Sequence, residues 1–207
     1  KKGIVMKIIE HESAQYKPRT VHNAHTADLT VAFAEDFTSA GERLTKREAG
    51  NRYVAIPLST DPLVAARMLY AACKKHNVST LNVAGNGIYS LSGAWAPGQL
   101  SENQKFERLD EGKFVNEFQV SLNQWVYMVI SKVNEFWPLT NLISGGQTGA
   151  DWAGGIAGEV IGLNVTMTFP KHCLQRDESH KDVTQSTDTV QKKVNAYLAY
   201  IDNSKKL

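Results

Sequence analysis

The sequence predicts an α/β fold, a doubly wound and mostly parallel sheet with helices on both faces. Three observations carry this. Short apolar runs alternate with amphipathic stretches along the chain, the pattern that successive βαβ units leave in a sequence. The run at 29–34, Leu-Thr-Val-Ala-Phe-Ala, is nearly continuously apolar, as a strand covered on both faces must be. Two glycine turns, Gly85-Asn86-Gly87 and Gly145-Gly146-Gln147-Thr148-Gly149, each close a strand-like run. They therefore fall at strand carboxyl ends, where open α/β sheets gather their ligands.

Taken in order, residues 4–9 are β-prone, and a polar stretch at 10–26 follows with Tyr16, Arg19, His22, Asn23 and His25. Residues 28–34 are the buried strand, and 41–49 read as a βα turn with a short helix. Residues 53–58 form the next strand, stopped at Pro57. The cluster Ser59-Thr60-Asp61-Pro62 is a helix start, and the helix runs to 76 with Leu63, Ala66, Met68, Leu69 and Ala72 as its apolar stripe. A strand at 79–84 leads into the first glycine turn. Residues 89–113, with Trp95, Pro97 and Gly98, form a long irregular connection of the kind that covers a pocket. From 114 to 137 the apolar positions Phe114, Phe118, Leu122, Trp125, Val129, Val133 and Phe136 recur at helical spacing. This crossover helix suits the core, or the face of a homo-oligomer. A strand at 139–144 enters the second glycine turn and a helix with little side-chain bulk at Ala150, Ala153, Gly154, Gly155, Ala157 and Gly158. Glycine inside a helix costs about 1 kcal/mol against alanine, so close packing on the sheet or close approach of a ligand must offset it. A last strand at 163–169 and a helix at 186–201 close a single domain spanning 1–207.

Composition narrows the function. A chain of 207 residues with 42% hydrophobic content fills one core. The net charge of +2 comes from Lys and Arg dispersed among Asp and Glu, without the basic stripe that tracks a nucleic-acid backbone. Cys73 and Cys173 do not make a disulfide framework, and no apolar run approaches membrane-spanning length or the core of a signal peptide. A reduced, cytoplasmic, soluble protein is expected.

The turn at 144–151 carries the chemistry. A glycine loop between strand and helix aims backbone N–H groups at one spot, and the helix adds the positive end of its dipole, so a phosphate is the natural occupant. No Lys or Arg lies between Ser144 and Val160, which excludes a Walker-type ATPase. The glycine spacing, Gly145-Gly146-x-x-Gly149, is close to the dinucleotide fingerprint without matching it. The plain alternative is a tight turn with Asp151 favouring the helix start. His22 and His25 share a helical face, yet no third ligand is spaced to complete a metal site.

Ser144-Gly145-Gly146-Gln147-Thr148-Gly149-Ala150-Asp151 resembles the signature of the molybdenum carrier, or YpsA-like, branch of the Rossmann-like SLOG nucleotide-binding superfamily. That superfamily also includes the cytokinin-activating phosphoribohydrolases and the DNA-processing protein DprA. Segments resembling the later part of that family come first here: Tyr16-Lys17-Pro18-Arg19-Thr20 with Asn23, then Ala27-Asp28-Leu29-Thr30, then Gly41 with Leu44-Thr45, then Leu81-Asn82-Val83-Ala84-Gly85. The order is rotated, so the chain resembles a circularly permuted, phage-type member. The resemblance covers most of the chain except about 90–138.

It implies a nucleotide or nucleotide-derived ligand, ADP-ribose-like or a signalling nucleotide, held by Ser144, Gly145, Gly146, Gln147, Thr148 and Gly149. Asp151 or Asn86 would meet a sugar or base group, with Gly85, Gly87, Asn23 and Thr45 nearby. Arg19 would supply the cation missing from the loop, since its guanidinium forms a fork with phosphate. Lys171 and Arg176 follow the last strand in Pro170-Lys171-His172-x-x-x-Arg176-Asp177, with His172 where the family has glycine. The phosphoribohydrolase motif Pro-Gly-Gly-x-Gly-Thr-x-x-Glu has no copy here, so for catalysis the carboxylates are Asp151 and Asp177. A binder or sponge of nucleotides, a nucleotide N-glycosidase and a molybdenum-cofactor carrier are the three functions in view.

Overall fold

Six strands lie parallel in one sheet, in the order β1-β8-β7-β4-β2-β3. They are β1 (Lys7–Glu10), β2 (Leu29–Ala34), β3 (Tyr53–Pro57), β4 (Thr80–Gly85), β7 (Asn141–Ser144) and β8 (Asn164–Phe169). Between them come α1 (Tyr16–Thr26), α2 (Ala40–Ala49), α3 (Pro62–His76), α4 (Ile88–Leu91), α5 (Glu117–Phe136) and α6 (Ala150–Ile161), with α7 (Thr187–Leu198) last. Two small hairpins, β5 (Phe106–Leu109) with β6 (Lys113–Asn116) and β9 (Gln175–Arg176) with β10 (Asp182–Val183), complete the chain. This computed structural model describes residues 6–91, 106–109, 113–177, 180–205 and 207. Most of the connection expected at 89–113 lies outside the described residues.

The fold is a Rossmann-like, doubly wound α/β sheet, and its strand order shows where the winding turns. From β1 to β2 to β3 the chain steps toward one edge; from β3 back to β4, β7 and β8 it steps toward the other. Right-handed crossovers then place α1 and α2 on one face and α3, α5 and α6 on the opposite face. The packing agrees, since α1 lies against α2, and α5 lies against both α3 and α6. Neighbouring strands β2 and β4 send their chains to opposite faces, which opens a crevice at their carboxyl ends.

Burial follows from the sequence. All six residues of β2 are buried, as are Leu81 and Val83 of β4, Leu142 of β7 and Met167 of β8. On the other side α6 sits close to the sheet because it lacks side chains there. A Cβ on Gly154 would lie 2.5 Å from the Val83 side chain. Close packing on the sheet, rather than ligand approach, accounts for the glycines of this helix.

Three expectations are corrected. The polar stretch before β2 holds an eleven-residue helix, α1, whose buried face is Arg19, Asn23 and Ala24. A helix with a polar inner face shows no apolar stripe, and its pattern therefore reads as loop. The crossover helix begins at Glu117, not at 114, because residues 113–116 pair with β5 and Asn116 caps the helix through the Gln119 N–H. On α3 the buried stripe is Ala65, Ala66, Leu69 and Cys73, while Met68 is exposed.

Candidate functional site

The two glycine turns meet at the carboxyl edge of β4 and β7. Ala150 N–H donates to the Asn86 carbonyl at 3.1 Å, and Ile88 N–H donates to the Thr148 carbonyl at 3.3 Å. Under α1 and α2, at the same edge, lies a cavity of about 140 Å³, room for about five waters. α1 contributes Tyr16, Arg19 and Asn23, α2 contributes Gly41, Glu42 and Thr45, and the sheet edge contributes Asn82, Gly85, Gly145 and Asp151.

Its floor is an ion pair. Arg19 Nη1 donates to Asp151 Oδ2 at 2.9 Å, with both side chains buried. The pair crosses directly over Gly145, where an added Cβ would sit 1.2 Å from Arg19 Nη1 and 2.2 Å from Asp151 Oδ2. Glycine is required there so that the two charges can meet. Burial pushes the Asp151 carboxyl above its ordinary value, and Arg19 pulls it back.

A second carboxyl faces the first. Glu42 is 4% exposed, and its pKa is pushed up to about 7, chiefly by burial and then by the negative charge of Asp151. The Tyr53 hydroxyl reaches its Oε2 only at 3.5 Å. Glu42 therefore changes protonation near neutral pH, the property expected of a general acid or base.

Several polar groups on these walls are left for an occupant. Among the described residues nothing bonds the amide of Asn23, Oε1 of Glu42, Oδ1 of Asp151 or Oδ1 of Asn82. Arg19 Nε is buried without a partner as well. Among the described lining residues Arg19 is the one cation, and Asp151 already neutralises it. The cavity is thus rich in acceptors and close to neutral when Glu42 is protonated. Hydroxyl and N–H donors suit such walls; a dianionic phosphate does not.

The glycine loop itself is largely occupied by the protein. Gln119 of α5 brackets Gly149, accepting its N–H at 2.6 Å and donating to its carbonyl at 2.9 Å. Gln147 N–H faces Asp151 Oδ2 at 3.4 Å, and Ala150 N–H is held by Asn86. The side chains of Gln147 and Thr148 turn away to fasten 174–176: Gln147 donates to the Leu174 carbonyl and accepts from Arg176 N–H, and Thr148 donates to the Arg176 carbonyl. Gly146, at φ +72°, lies over the Phe169 ring, and the Ser144 hydroxyl is buried without a partner.

The other sequence-predicted residues divide. Asn23, Thr45, Gly85 and Gly87 line the cavity, with the Thr45 hydroxyl donating to the Gly41 carbonyl. Asn86 does not offer its side chain: the amide oxygen accepts from Glu35 and Asp36 N–H, and the amide nitrogen donates to the Asp36 carbonyl, tying down the exit of β2. Arg176 reaches the mouth of the cavity but pairs with Asp182 at 2.7 Å. Lys171 is exposed and outside the cavity. Asp177 lines a separate cavity with Gln119, Trp152 and Tyr197, so Asp151 and Asp177 are not brought together; the carboxyl that joins Asp151 is Glu42. His172 keeps φ +62°, the left-handed backbone that a glycine would adopt. His25 bonds Glu48 at 3.1 Å, and among the described residues no group of three or more His, Cys, Asp or Glu is placed for a metal.

Glu42 was the hidden residue. Ser39-x-x-Glu42 reads as a capping box, and Ser39 does cap α2 by accepting from Glu42 N–H. The Glu42 carboxyl does not complete the box but turns inward, where the Tyr53 hydroxyl donates to it.

A doubly wound α/β protein with a polar cavity at its topological switch point is what fold and site together define. Compared with family models, with curated proteins and with solved structures, the chain has no match. Among the described residues no helix is long and apolar enough to cross a membrane.

Proposed function

We propose that this cavity binds the ribosyl portion of a nucleotide or nucleotide-derived ligand, ADP-ribose-like or a signalling nucleotide, and that the protein acts as its sensor or sponge. The observation that carries the reading is the set of acceptors around the Arg19–Asp151 pair. Asp151 Oδ1, Glu42 Oε1, Asn82 Oδ1 and the Asn23 amide converge on a space that suits a small polyhydroxylated ring. The phosphate stays outside, toward the mouth and Arg176.

Glu42 favours a second reading, N-glycosidic hydrolysis. A carboxyl poised near pH 7 beside a permanently paired one resembles the division of labour that cleavage through an oxocarbenium-like centre needs. In that reaction Glu42 would exchange the proton with water or the departing base, and Asp151 would stabilise the positive ribosyl centre.

The family reading goes with this proposal, and α7 supports its permuted order. α7 packs against β1 and α6, the place of a crossover helix between β8 and β1, so β1 is the strand that would follow α7 if the chain ends were joined. Free, buried thiols at Cys73 and Cys173 support a cytoplasmic location.

A thermal-shift and calorimetric screen with AMP, ADP-ribose, NAD and ribose 5-phosphate, with chromatography for free base, tests both readings. Binding that is weakened at least tenfold by Asp151→Asn supports the site. Recovery of the ligand intact marks a sponge, and released base marks a hydrolase. Absence of binding by every one of the four, or indifference to Asp151→Asn, refutes the placement.

A further inference from the structure

Two tyrosines from distant parts of the chain stand at the mouth of the cavity. Tyr16 opens α1, Tyr89 lies in α4, and both line the space. The guanidinium of Arg176 lies 5.4 Å from the ring centroid of Tyr16 and 5.6 Å from that of Tyr89. Two aromatic rings thus share one planar group. The ring of Tyr89 reaches this position over Gly87, where a Cβ would be 2.4 Å from Tyr89 Cε1. Arg176 is tethered by Asp182, with Nε to Oδ1 at 2.7 Å and Nη2 to Oδ2 at 3.1 Å, and the Tyr16 hydroxyl donates to the same Oδ1 at 2.8 Å.

We propose that Tyr16 and Tyr89 form an aromatic clamp for the nucleobase of the ligand, which enters the slot in place of the Arg176 guanidinium. The inference rests on the ribosyl reading of the cavity and names what lies next to it. A guanidinium and a nucleobase are both flat and stack on the same ring faces. Displacing the one by the other gives up the pair with Asp182 and two cation–π contacts, and gains base stacking on both rings. The Arg176 and Asp182 side chains are 35% and 37% exposed, and a pair so exposed is worth at most about fivefold in an equilibrium. Stacking one base on one aromatic ring is worth about fivefold to a hundredfold. Arg176, released, remains at the mouth, where the phosphate of a ligand seated with its ribose inside would emerge. Because every base has a π-face, the clamp separates nucleotides from bare sugar phosphates and does little to separate one base from another.

Calorimetric titration of the full chain with AMP and with ribose 5-phosphate tests this. Tyr16→Leu and Tyr89→Leu are each expected to weaken AMP about tenfold and leave ribose 5-phosphate within about twofold. Tyr16→Phe and Tyr89→Phe, which keep the ring, are expected to retain AMP. Equal losses for both ligands in the leucine variants, or none for AMP, overturn the clamp while leaving the ribosyl reading standing. Failure of the unaltered protein to bind either ligand overturns both.

Discussion

Replacing Arg19 with methionine tests the floor of the cavity most directly. The substitution keeps an unbranched apolar stem and removes the guanidinium, leaving the buried Asp151 carboxylate with no cation. Breaking a buried pair from one side costs about 3–5 kcal/mol, because the remaining charge is desolvated and uncompensated. For a chain of this size that is a drop of roughly 6–20 °C in Tm. The loss depends on pH with a definite sign. Burial already raises the Asp151 pKa, and Arg19 is the largest influence lowering it; without Arg19 the folded value rises further above the unfolded one. A carboxyl of that kind is least costly when protonated, so Arg19→Met loses least in acid. The loss grows as pH rises past the unfolded pKa, and levels off above the folded pKa. Urea unfolding at pH 5 and pH 8, with equal m-values required, measures the difference. Adding Asp151→Asn to Arg19→Met removes the stranded charge and should recover most of the stability at pH 8, giving a coupling energy of several kcal/mol in the double-mutant cycle. A loss under about 1 kcal/mol, a loss independent of pH, or a double variant no better than the single one would show that the two side chains are not joined in the folded protein.

Three further outcomes follow from the same geometry. Glu42→Gln should stabilise the fold at pH 8, by up to roughly 3 kcal/mol given a pKa raised from 4.5 to about 7 and about 1.4 kcal/mol per pH unit. The gain should vanish below about pH 4.5, where the unaltered carboxyl is protonated in both states, and a parallel pair of melting curves across pH 4–8 would contradict this. Gly145→Ala places a methyl on the path of the ion pair and should weaken AMP at least tenfold while costing about 2–4 kcal/mol; circular dichroism melts and calorimetry on one sample read both, and unchanged binding would remove Gly145 from the site. A chain re-ordered to begin at 139, with its present ends joined by a flexible linker, should fold with the same cooperative unfolding transition, since α7 already lies where a β8-to-β1 crossover belongs; an insoluble or non-cooperative product would argue against the permuted order.

Legibility in the sequence tracked how apolar each buried surface is. β2, β4, α3 and α6 declare themselves because their inner faces are hydrocarbon, and the helix start at Pro62 is written in Asp61, which accepts from Leu63 and Val64 N–H. α1 was hidden because its inner face is Arg19 and Asn23, residues whose helical spacing of four carries no hydrophobic signal. Arg19 could be named as a site residue from its place in a motif, but its partner could not, since Asp151 lies 132 residues away and only the return of the chain to the sheet edge joins them. The same holds for Glu42. Its local pattern has a sufficient structural explanation as a helix cap, and only the packing of α2 over the sheet edge turns its carboxyl into the cavity. Gln119 had no motif at all, yet it is the residue that fixes both polar groups of Gly149.

These misplacements share one cause, and it bears on the choice of ligand. A glycine loop before a helix is read as an anion site because its N–H groups are assumed to be unengaged and cations are assumed to be near. Here the N–H groups of Gln147, Gly149 and Ala150 face protein acceptors, and the cation at hand is joined to a carboxylate. A phosphate entering the cavity would meet two carboxyls and one cation that is already paired, and would hold Glu42 protonated. On the proposed reading a ribosyl ring needs no such change, and its hydroxyls would donate to carboxylate and amide oxygens that otherwise have no partner among the described residues. Gly145 thus makes room for the ion pair, and on the proposed reading that pair, more than the loop's N–H groups, would set what the cavity accepts.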